Sequence, residues 1–179
     1  SINGKNITID GSVCITVLYS DDGGQLCSYE YQYPFSKNLE MSAKYSLQYI
    51  EDGIFEDCVL DSKDAFWHAK NVTVRNCVLG GEYLAWYSEG LTFENCKIIG
   101  TQPFCYCKNL TLINCEMIDC DLAFERSTVQ ATITTPVISV KNPLHGSCIT
   151  LPAVGSIIRD IDGADGKVCV SKQAASLSA

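Results

Sequence analysis

Hydrophobic and polar positions recur at a fixed interval of 19 residues between positions 51 and 127. One column is cysteine in every repeat and always follows Asp or Asn: Cys58, Cys77, Cys96 and Cys115. A short repeat rich in β-branched and aromatic residues, with Asn and Gly between strands, is typical of a solenoid whose coils stack on one another. The pattern therefore predicts an all-β fold, a single-stranded right-handed parallel β-helix with about 19 residues per coil and irregular N-terminal and C-terminal caps.

Charged residues alternate in sign down the predicted columns. The clearest such column is Glu51, Lys70, Glu89 and Lys108, and a second is Glu56, Arg75 and Glu94. In-register stacking places equivalent residues directly over one another, so opposite charges attract and like charges repel. These positions should therefore face outward. By strand alternation, Val72, Val74 and the cysteine column should face the core, and Asn76, Asn95 and Asn114 should form an asparagine ladder at a corner.

The length and hydrophobic content suit one domain with a continuous core. The chain has 179 residues, of which 46% are hydrophobic, so we expect a single β-helix domain over residues 1–179. Residues 1–32 fit the period weakly and are predicted to form an irregular N-terminal coil or cap. The regular coils are predicted over 33–127, and the last coils with the C-terminal cap over 128–179.

Charge and cysteine content limit the possible partners and location. The net charge is −8 with a pI near 4.6, which disfavours nucleic acid and anionic membranes as partners. No apolar run approaches the roughly 18 to 20 residues of a membrane span. Eleven cysteines could form disulfides between neighbouring coils, but an odd number at single-coil spacing favours unpaired core thiols. That interpretation predicts a reducing, cytoplasmic location.

Two sets of residues are candidate metal ligands. Cys105, Cys107, Cys115 and Cys120 could hold zinc, but Cys105 and Cys107 are spaced as alternate strand residues and not as a zinc-binding turn. Asp160, Asp162 and Asp165 lack the spacing and distal Glu of a helix-loop-helix calcium site. The sequence therefore predicts neither a metal nor a cofactor.

Five short segments resemble a known family. They are Ser62–Trp67, Gly81–Ser88, Cys105–Lys108, Leu122–Glu125 and Ser139–Pro143. Together they resemble the bacterial domain-of-unknown-function family numbered thirty-seven thirty-seven, over roughly residues 33–170. The resemblance implies a pectin-lyase-like β-helix of bacterial origin with no assigned activity, and it offers no catalytic residues to carry over. Members of that family typically have further coils before the region matched here.

Aromatic residues provide the candidate binding surface. If Trp67, Trp86, Cys105 and Phe124 face inward, strand alternation turns the residues on either side of each one outward. The opposite parity would expose both tryptophans instead. Either arrangement leaves one face unusually apolar, and such patches mark partner surfaces. The candidate binding or interface residues are Tyr49, Phe66, His68, Tyr87, Phe104 and Tyr106.

Two classes of function remain open from the sequence. The favoured class is a non-catalytic module whose aromatic face mediates homo-oligomer formation or binds a carbohydrate ligand. The alternative is a carbohydrate-active enzyme, such as a polysaccharide lyase or a glycoside hydrolase, which would need paired outward carboxylates. Asp64, Glu82 and His68 come closest to such a cluster, but most outward acids are matched by basic residues in the same column. No catalytic residue is therefore predicted.

Overall fold

The computed structural model describes residues 2–3, 6–20, 23–40 and 47–171. The chain divides into two compact units, Ser1–Ser42 and Ala43–Ala179. All regular elements in the described residues are β-strands, and none of these residues forms a helix long and apolar enough to span a bilayer. The organisation of residues 1–179 as a single domain stays a prediction.

The first unit is a long antiparallel hairpin. Strand β1 is Ile2–Asn3, β2 is Asn6–Ser20 and β3 is Leu26–Glu40. Strands β2 and β3 pair without interruption from Asn6↔Glu40 to Ser20↔Leu26. Two runs with matching period-two alternation, separated by a short Gly-containing turn, favour local pairing of this kind.

The hairpin corrects the expected start of the regular coils. Residues 33–40 were predicted to begin the first coil, because Asn38 and Leu39 lie 19 positions before Asp57 and Cys58. In the structure, Asn38 pairs with Thr8 and residues 33–40 belong to β3. Residues 6–20 and 26–32 likewise belong to a regular ribbon, where an irregular coil or cap was predicted. Residues 41–46 and 172–179, within the predicted coils and C-terminal cap, lie outside the described residues.

The second unit is a parallel β-helix of about six coils, which confirms the predicted fold class. Its strands are β4 Ile54–Glu56, β5 Val59–Asp61, β6 Thr73–Arg75, β7 Val78–Gly80, β8 Thr92–Glu94, β9 Lys97–Ile99, β10 Leu110–Ile118, β11 Val129–Ile133, β12 Val137–Lys141, β13 Cys148–Leu151, β14 Val154–Ile158 and β15 Lys167–Val170. One sheet stacks seven strands in the order β4-β6-β8-β10-β11-β13-β15. A second ladder consists of β5, β7, β9 and β10, and β12 pairs with β14. Most partners lie 19 residues apart, as in Thr73↔Thr92 and Lys97↔Glu116.

The core follows the predicted inward columns. Val72, Val74, Cys77, Cys96 and Cys115 are all buried, as strand alternation predicted. Cys58, in the first coil, is only half-buried. The strands Thr73–Arg75 and Thr92–Glu94 each bury their central residue and leave the two neighbours partly exposed. The strands therefore behave as ordinary period-two elements.

The alternating charge columns are also present. Arg75 contacts acids in the coils before and after it, with Nη1 3.0 Å from Glu56 and Nε 2.8 Å from Glu94. The hydrogen bond to Glu94 is the largest cause of a raised pKa for Arg75. Lys70 Nζ lies 3.1 Å from Glu51. Exposed pairs of this kind stabilise a fold only slightly, so their main effect is to disfavour a shifted register, which would bring like charges together.

The Asp and Asn corner has a repeated left-handed backbone. Asp57, Asn76, Asn95 and Asn114 have φ between 51° and 54°, a region that Asn and Asp adopt more easily than other residues with a Cβ. Asn76 Nδ2 donates to Asp57 Oδ1 at 3.2 Å. A continuous asparagine ladder stays a prediction, since this contact joins an Asn to an Asp.

Candidate functional site

One corner of each coil has an unusual backbone, and it carries the aromatic residues. Every second residue there is left-handed, with φ of 58° at Asp64, 59° at Phe66 and 54° at His68. Inward and outward positions alternate only where the backbone is extended, so left-handed residues at every second position remove that alternation. The same φ pattern recurs at Tyr83, Ala85 and Tyr87, at Gln102, Phe104 and Tyr106, and at Leu122, Phe124 and Arg126.

This backbone places consecutive residues on the same side. Ala65 and Phe66 are both buried, whereas Trp67 is half-buried and His68 is exposed. The prediction that Phe66 and Phe104 face outward is wrong, because both side chains are 0% exposed. They pack into the core around Phe93, with ring centroids 6.2 Å and 5.0 Å away. The sequence prediction placed Phe66 and Phe104 on the surface because it assumed strand alternation, which does not hold at this corner.

The other four candidate residues form a continuous stack, here called the aromatic ladder: Tyr49, His68, Tyr87 and Tyr106. Their ring centroids are 5.2, 5.3 and 4.7 Å apart in that order, with interplanar angles of 6°, 13° and 8°. Tyr49 is 69% exposed and Tyr87 is 45% exposed. Each coil contributes one ring, so the spacing of the ladder is set by the spacing of the coils.

Three further aromatic residues, missed as site residues by the sequence reasoning, support the ladder from one side. Trp67 lies 5.9 Å from Tyr87, and Trp86 meets Tyr106 edge-on at 5.4 Å. Tyr83 packs against Trp86 with centroids 4.9 Å apart. The indole Nε1 of Trp86 donates to the carbonyl of Gln102 at 2.7 Å, which fixes the ring. Adjacent aromatic pairs in the sequence, Trp67-His68 and Trp86-Tyr87, were the available signal.

The stacking decides which parts of the rings a partner can reach. Between Tyr49 and Tyr106, each ring covers the face of its neighbour, so the ladder presents ring edges and phenol hydroxyls to solvent. A sugar packs its C–H groups on the electron-rich face of an aromatic ring, which is the part already covered here. The ladder therefore suits contact with protein side chains better than stacking with sugar rings.

The ladder ends at a charged pair. Arg126 occupies the next position of the column. Beside it, the carboxylate of Glu125 lies 3.1 Å from Lys141 Nζ, with most of both side chains buried. The hydrogen bond to Glu125 raises the pKa of Lys141. Burial, followed by the nearby charge of Glu125, raises the pKa of Tyr106. Tyr106 therefore remains a neutral hydrogen-bonding phenol at physiological pH.

The possible catalytic cluster does not share a hydrogen-bond network. His68 is stacked between Tyr49 and Tyr87, and Glu82 lies 3.5 Å from Lys63. Asp64 Oδ1 is buried and has no hydrogen-bond partner among the described residues. Asp64, Glu82 and His68 therefore each occupy a separate environment, which gives no general acid and base acting on one bond.

The cysteine thiols are free, and six of them are buried. None of the eleven cysteines forms a disulfide. Burial raises the pKa of Cys77 to about 11 and that of Cys107 to about 12, so these thiols stay protonated and unreactive near neutral pH. Within the described residues no group of three or more His, Cys, Asp or Glu side chains is arranged to hold a metal ion.

A shallow groove of about 360 Å³ lies on another part of the solenoid. Its lining includes Asn109, Thr111, Gln130 and His145. His145 Nδ1 lies 3.0 Å from Asp165, and the His145 side chain is 87% exposed. That hydrogen bond is the main cause of a lowered pKa for Asp165. The groove is open and its lining has no Tyr, Trp or Phe side chain, so it is a weaker candidate for binding than the ladder.

Comparison with protein families gives one match. The sequence model described as "Protein of unknown function (DUF3737)" matches residues 26–171. Comparison with curated proteins and with solved structures gives no match. The matched region includes strand β3 and all the described residues of the β-helix, together with every residue of the aromatic ladder. The chain therefore belongs to the DUF3737 family.

Proposed function

We propose that this chain is a non-catalytic self-association module and that the aromatic ladder is its interface. The observation that carries the proposal is an unbroken stack of four rings from four successive coils, with Tyr49 69% and Tyr87 45% exposed. Aromatic side chains at the centre of an interface contribute disproportionately to binding energy. A column of four such rings is an unusual exposure for an unpartnered protein surface.

The ladder is rigid before any partner binds. The backbone N–H of Tyr49 donates to Trp67 O at 2.8 Å, and that of His68 donates to Trp86 O at 2.9 Å. His68 and Tyr87 are also held between the rings above and below them, and Tyr49 and Tyr106 each stack on one neighbouring ring. Because these side chains are already ordered, association loses little side-chain entropy, and more of the contact energy appears as affinity.

The charges beside the ladder are compatible with a second copy. Lys70 and Glu89 lie two residues after His68 and Tyr87, in a column that alternates with Glu51 and Lys108. Both signs are therefore present along the edge of the ladder, and a second copy can place opposite charges together. This local balance reduces the repulsion expected between two chains with a net charge of −8 each.

The test is sedimentation velocity on the variant Tyr87→Ala with Tyr106→Ala. Truncating these two neighbouring rings of the ladder should weaken self-association by about 1 to 2 kcal/mol per ring, or roughly 30-fold or more together, while leaving the circular dichroism spectrum unchanged. The matched control is Ile113→Ala with Ile138→Ala, which removes two exposed apolar side chains from strands. The control should sediment like the wild type.

Three results would contradict the proposal. A wild-type chain that is monomeric at high concentration excludes self-association, and a glycan array then tests carbohydrate as the ligand of the same surface. Equal weakening by the control variant would show that the effect is not specific to the ladder. Loss of the β-sheet spectrum in the Tyr87 and Tyr106 variant would show that these rings are needed for folding and not for association.

The cytoplasmic location stays a prediction.

A further inference from the structure

The hairpin of the first unit is amphipathic. Residues paired directly across an antiparallel ribbon lie on the same face, and the pairs Ile15↔Tyr31 and Val17↔Tyr29 place aliphatic and aromatic side chains together. We call this surface the hairpin face. It consists of Val13, Ile15, Val17, Tyr19, Cys27, Tyr29, Tyr31 and Tyr33.

The opposite face of the same ribbon is mainly polar. Its side chains come from the intervening residues, as in the pairs Thr16↔Glu30 and Cys14↔Gln32. Two leucines, Leu18 and Leu26, also lie on this side. An antiparallel sheet with one apolar and one polar face normally packs its apolar face against another layer.

The hairpin face is exposed in the single chain. Its seven large side chains are 48% to 61% exposed, whereas the inward residues of strands β6, β8 and β10 are almost completely buried. A two-stranded hairpin is only marginally stable in water unless its apolar face is covered. Because one face of this ribbon is apolar and the other is mainly polar, we expect another protein layer to cover the hairpin face.

We propose that the hairpin face is covered by the same face of a second copy of the chain. Burying half of seven side chains, four of them aromatic rings of roughly 150 to 250 Å² each, removes about 500 to 700 Å² per copy from water. Two copies together bury about 1,000 to 1,400 Å², which reaches the lower part of the standard range for specific protein interfaces. The area is thus sufficient for a stable dimer.

The composition of the two strands favours a twofold arrangement. On this face β2 supplies the aliphatic residues Val13, Ile15 and Val17, and β3 supplies three tyrosines. A twofold axis parallel to the strands places β2 of one copy over β3 of the other, so that aliphatic side chains pack against rings. The face carries no charged side chain, so the acidic net charge adds no direct repulsion within it.

This interface is separate from the aromatic ladder. The two surfaces lie in different compact units, one in residues 13–33 and the other in residues 49–106. A chain that self-associates through both surfaces forms species larger than a dimer where each surface binds a different copy, and a dimer where one partner covers both surfaces. Removing either interface alone should leave a dimer joined by the other.

The test is sedimentation of full-length variants. Ile15→Ser with Tyr31→Ser removes one cross-strand pair from the centre of the hairpin face. Made in the Tyr87→Ala and Tyr106→Ala background, it should convert the remaining dimer to monomer and raise its dissociation constant about 100-fold. The control, Leu18→Ser with Leu26→Ser, removes two exposed apolar side chains from the opposite face and should leave the dimer intact.

A second variant controls for unfolding of the hairpin, which could also weaken the dimer. Val13→Thr with Val17→Thr keeps β-branched residues, which favour strands, but places two hydroxyls in the proposed contact. It should also weaken the dimer, with an unchanged circular dichroism spectrum.

The outcomes separate the two interfaces. A wild-type chain that is monomeric overturns both proposals. A dimer that persists in the ladder background despite both hairpin-face variants overturns the hairpin proposal alone. Equal dissociation of the Leu18 and Leu26 control also overturns it, since the contact would then not be specific to the apolar face. If the ladder variant alone is monomeric, no hairpin contact remains, and the hairpin proposal is overturned as well.

Discussion

The strands and the aromatic corner of a single coil follow different rules, although their sequences have similar apolar content. In the strand Thr73–Arg75, Val74 is buried and both neighbours are partly exposed. In the corner, Ala65 and Phe66 are both buried and the next two residues both reach the surface. The difference is the sign of φ, which is positive at every second corner residue. Period-two patterns therefore report side-chain direction only where the backbone is extended.

This difference explains why the coil can have a packed core and an exposed stack of rings at the same position in each repeat. The corner buries Phe66 and then turns His68 outward within two residues. A strand would have placed both on the same side. The aromatic ladder is consequently a product of the corner backbone, and the strands only set the distance between its rings.

The largest expected effect compares a buried ring in each region. Phe93→Ala in strand β8 and Phe104→Ala in the corner should each lower the free energy of unfolding by about 3 to 5 kcal/mol, because both remove a fully buried ring. Urea denaturation followed by circular dichroism measures both. A Phe104→Ala variant as stable as the wild type would mean that the corner faces outward and that the strand rule holds there.

A smaller effect should separate steric strain from the cost of positive φ. Gly100 has φ of 131°, and a Cβ there would clash with the carbonyl oxygen of Gly81 in the preceding coil. Gly146 also has positive φ, but nothing lies within 4 Å of its Cβ position. Gly146→Ala should cost about 1 to 2 kcal/mol, and Gly100→Ala should cost at least about 3 kcal/mol through the added clash. Equal losses in thermal unfolding would contradict the close stacking of coils at this turn.

The smallest expected effect is on the free energy of unfolding when either of two buried cysteines is replaced by serine. Cys107 Sγ donates to Ala85 O at 3.0 Å, and in the same column Ser88 and Ser127 donate to the equivalent carbonyls at 2.6 and 2.7 Å. Cys107→Ser should therefore cost less than about 1 kcal/mol. Cys96 lies 3.3 to 3.4 Å from its acceptors, too far for a shorter hydroxyl, so Cys96→Ser should cost about 1 to 3 kcal/mol. The reverse order in urea denaturation would refute this account of the two columns.

The sequence predicts the strands well because their information is local and repeated. The 19-residue spacing predicts the coil, and alternating charges such as Glu56, Arg75 and Glu94 predict which side faces solvent. Left-handed corners are predictable where Asn or Asp occupies them, as at Asn76 and Asn95. The aromatic corner uses residues such as Phe66 and Ala85, which rarely adopt positive φ, so its composition does not indicate its backbone.

The start of the β-helix could not be predicted for a different reason. Asn38 and Leu39 have the spacing of a coil, but they also continue a period-two run that matches residues 6–13. Two periodicities compete in the same residues. The local hairpin has the lower cost of loop closure, since its turn is short. Spacing alone gave no basis for choosing between the two partners.

The central claim is that the aromatic ladder is exposed in the single chain and becomes covered on self-association. Photochemically induced nuclear polarisation, which labels solvent-accessible Tyr, His and Trp rings, measures this directly across a dilution series. The account predicts strong signals from Tyr49 and Tyr87 in dilute protein, lost as concentration rises and as sedimentation shows the dimer forming. Signals from these rings that persist unchanged in the assembled protein would contradict it.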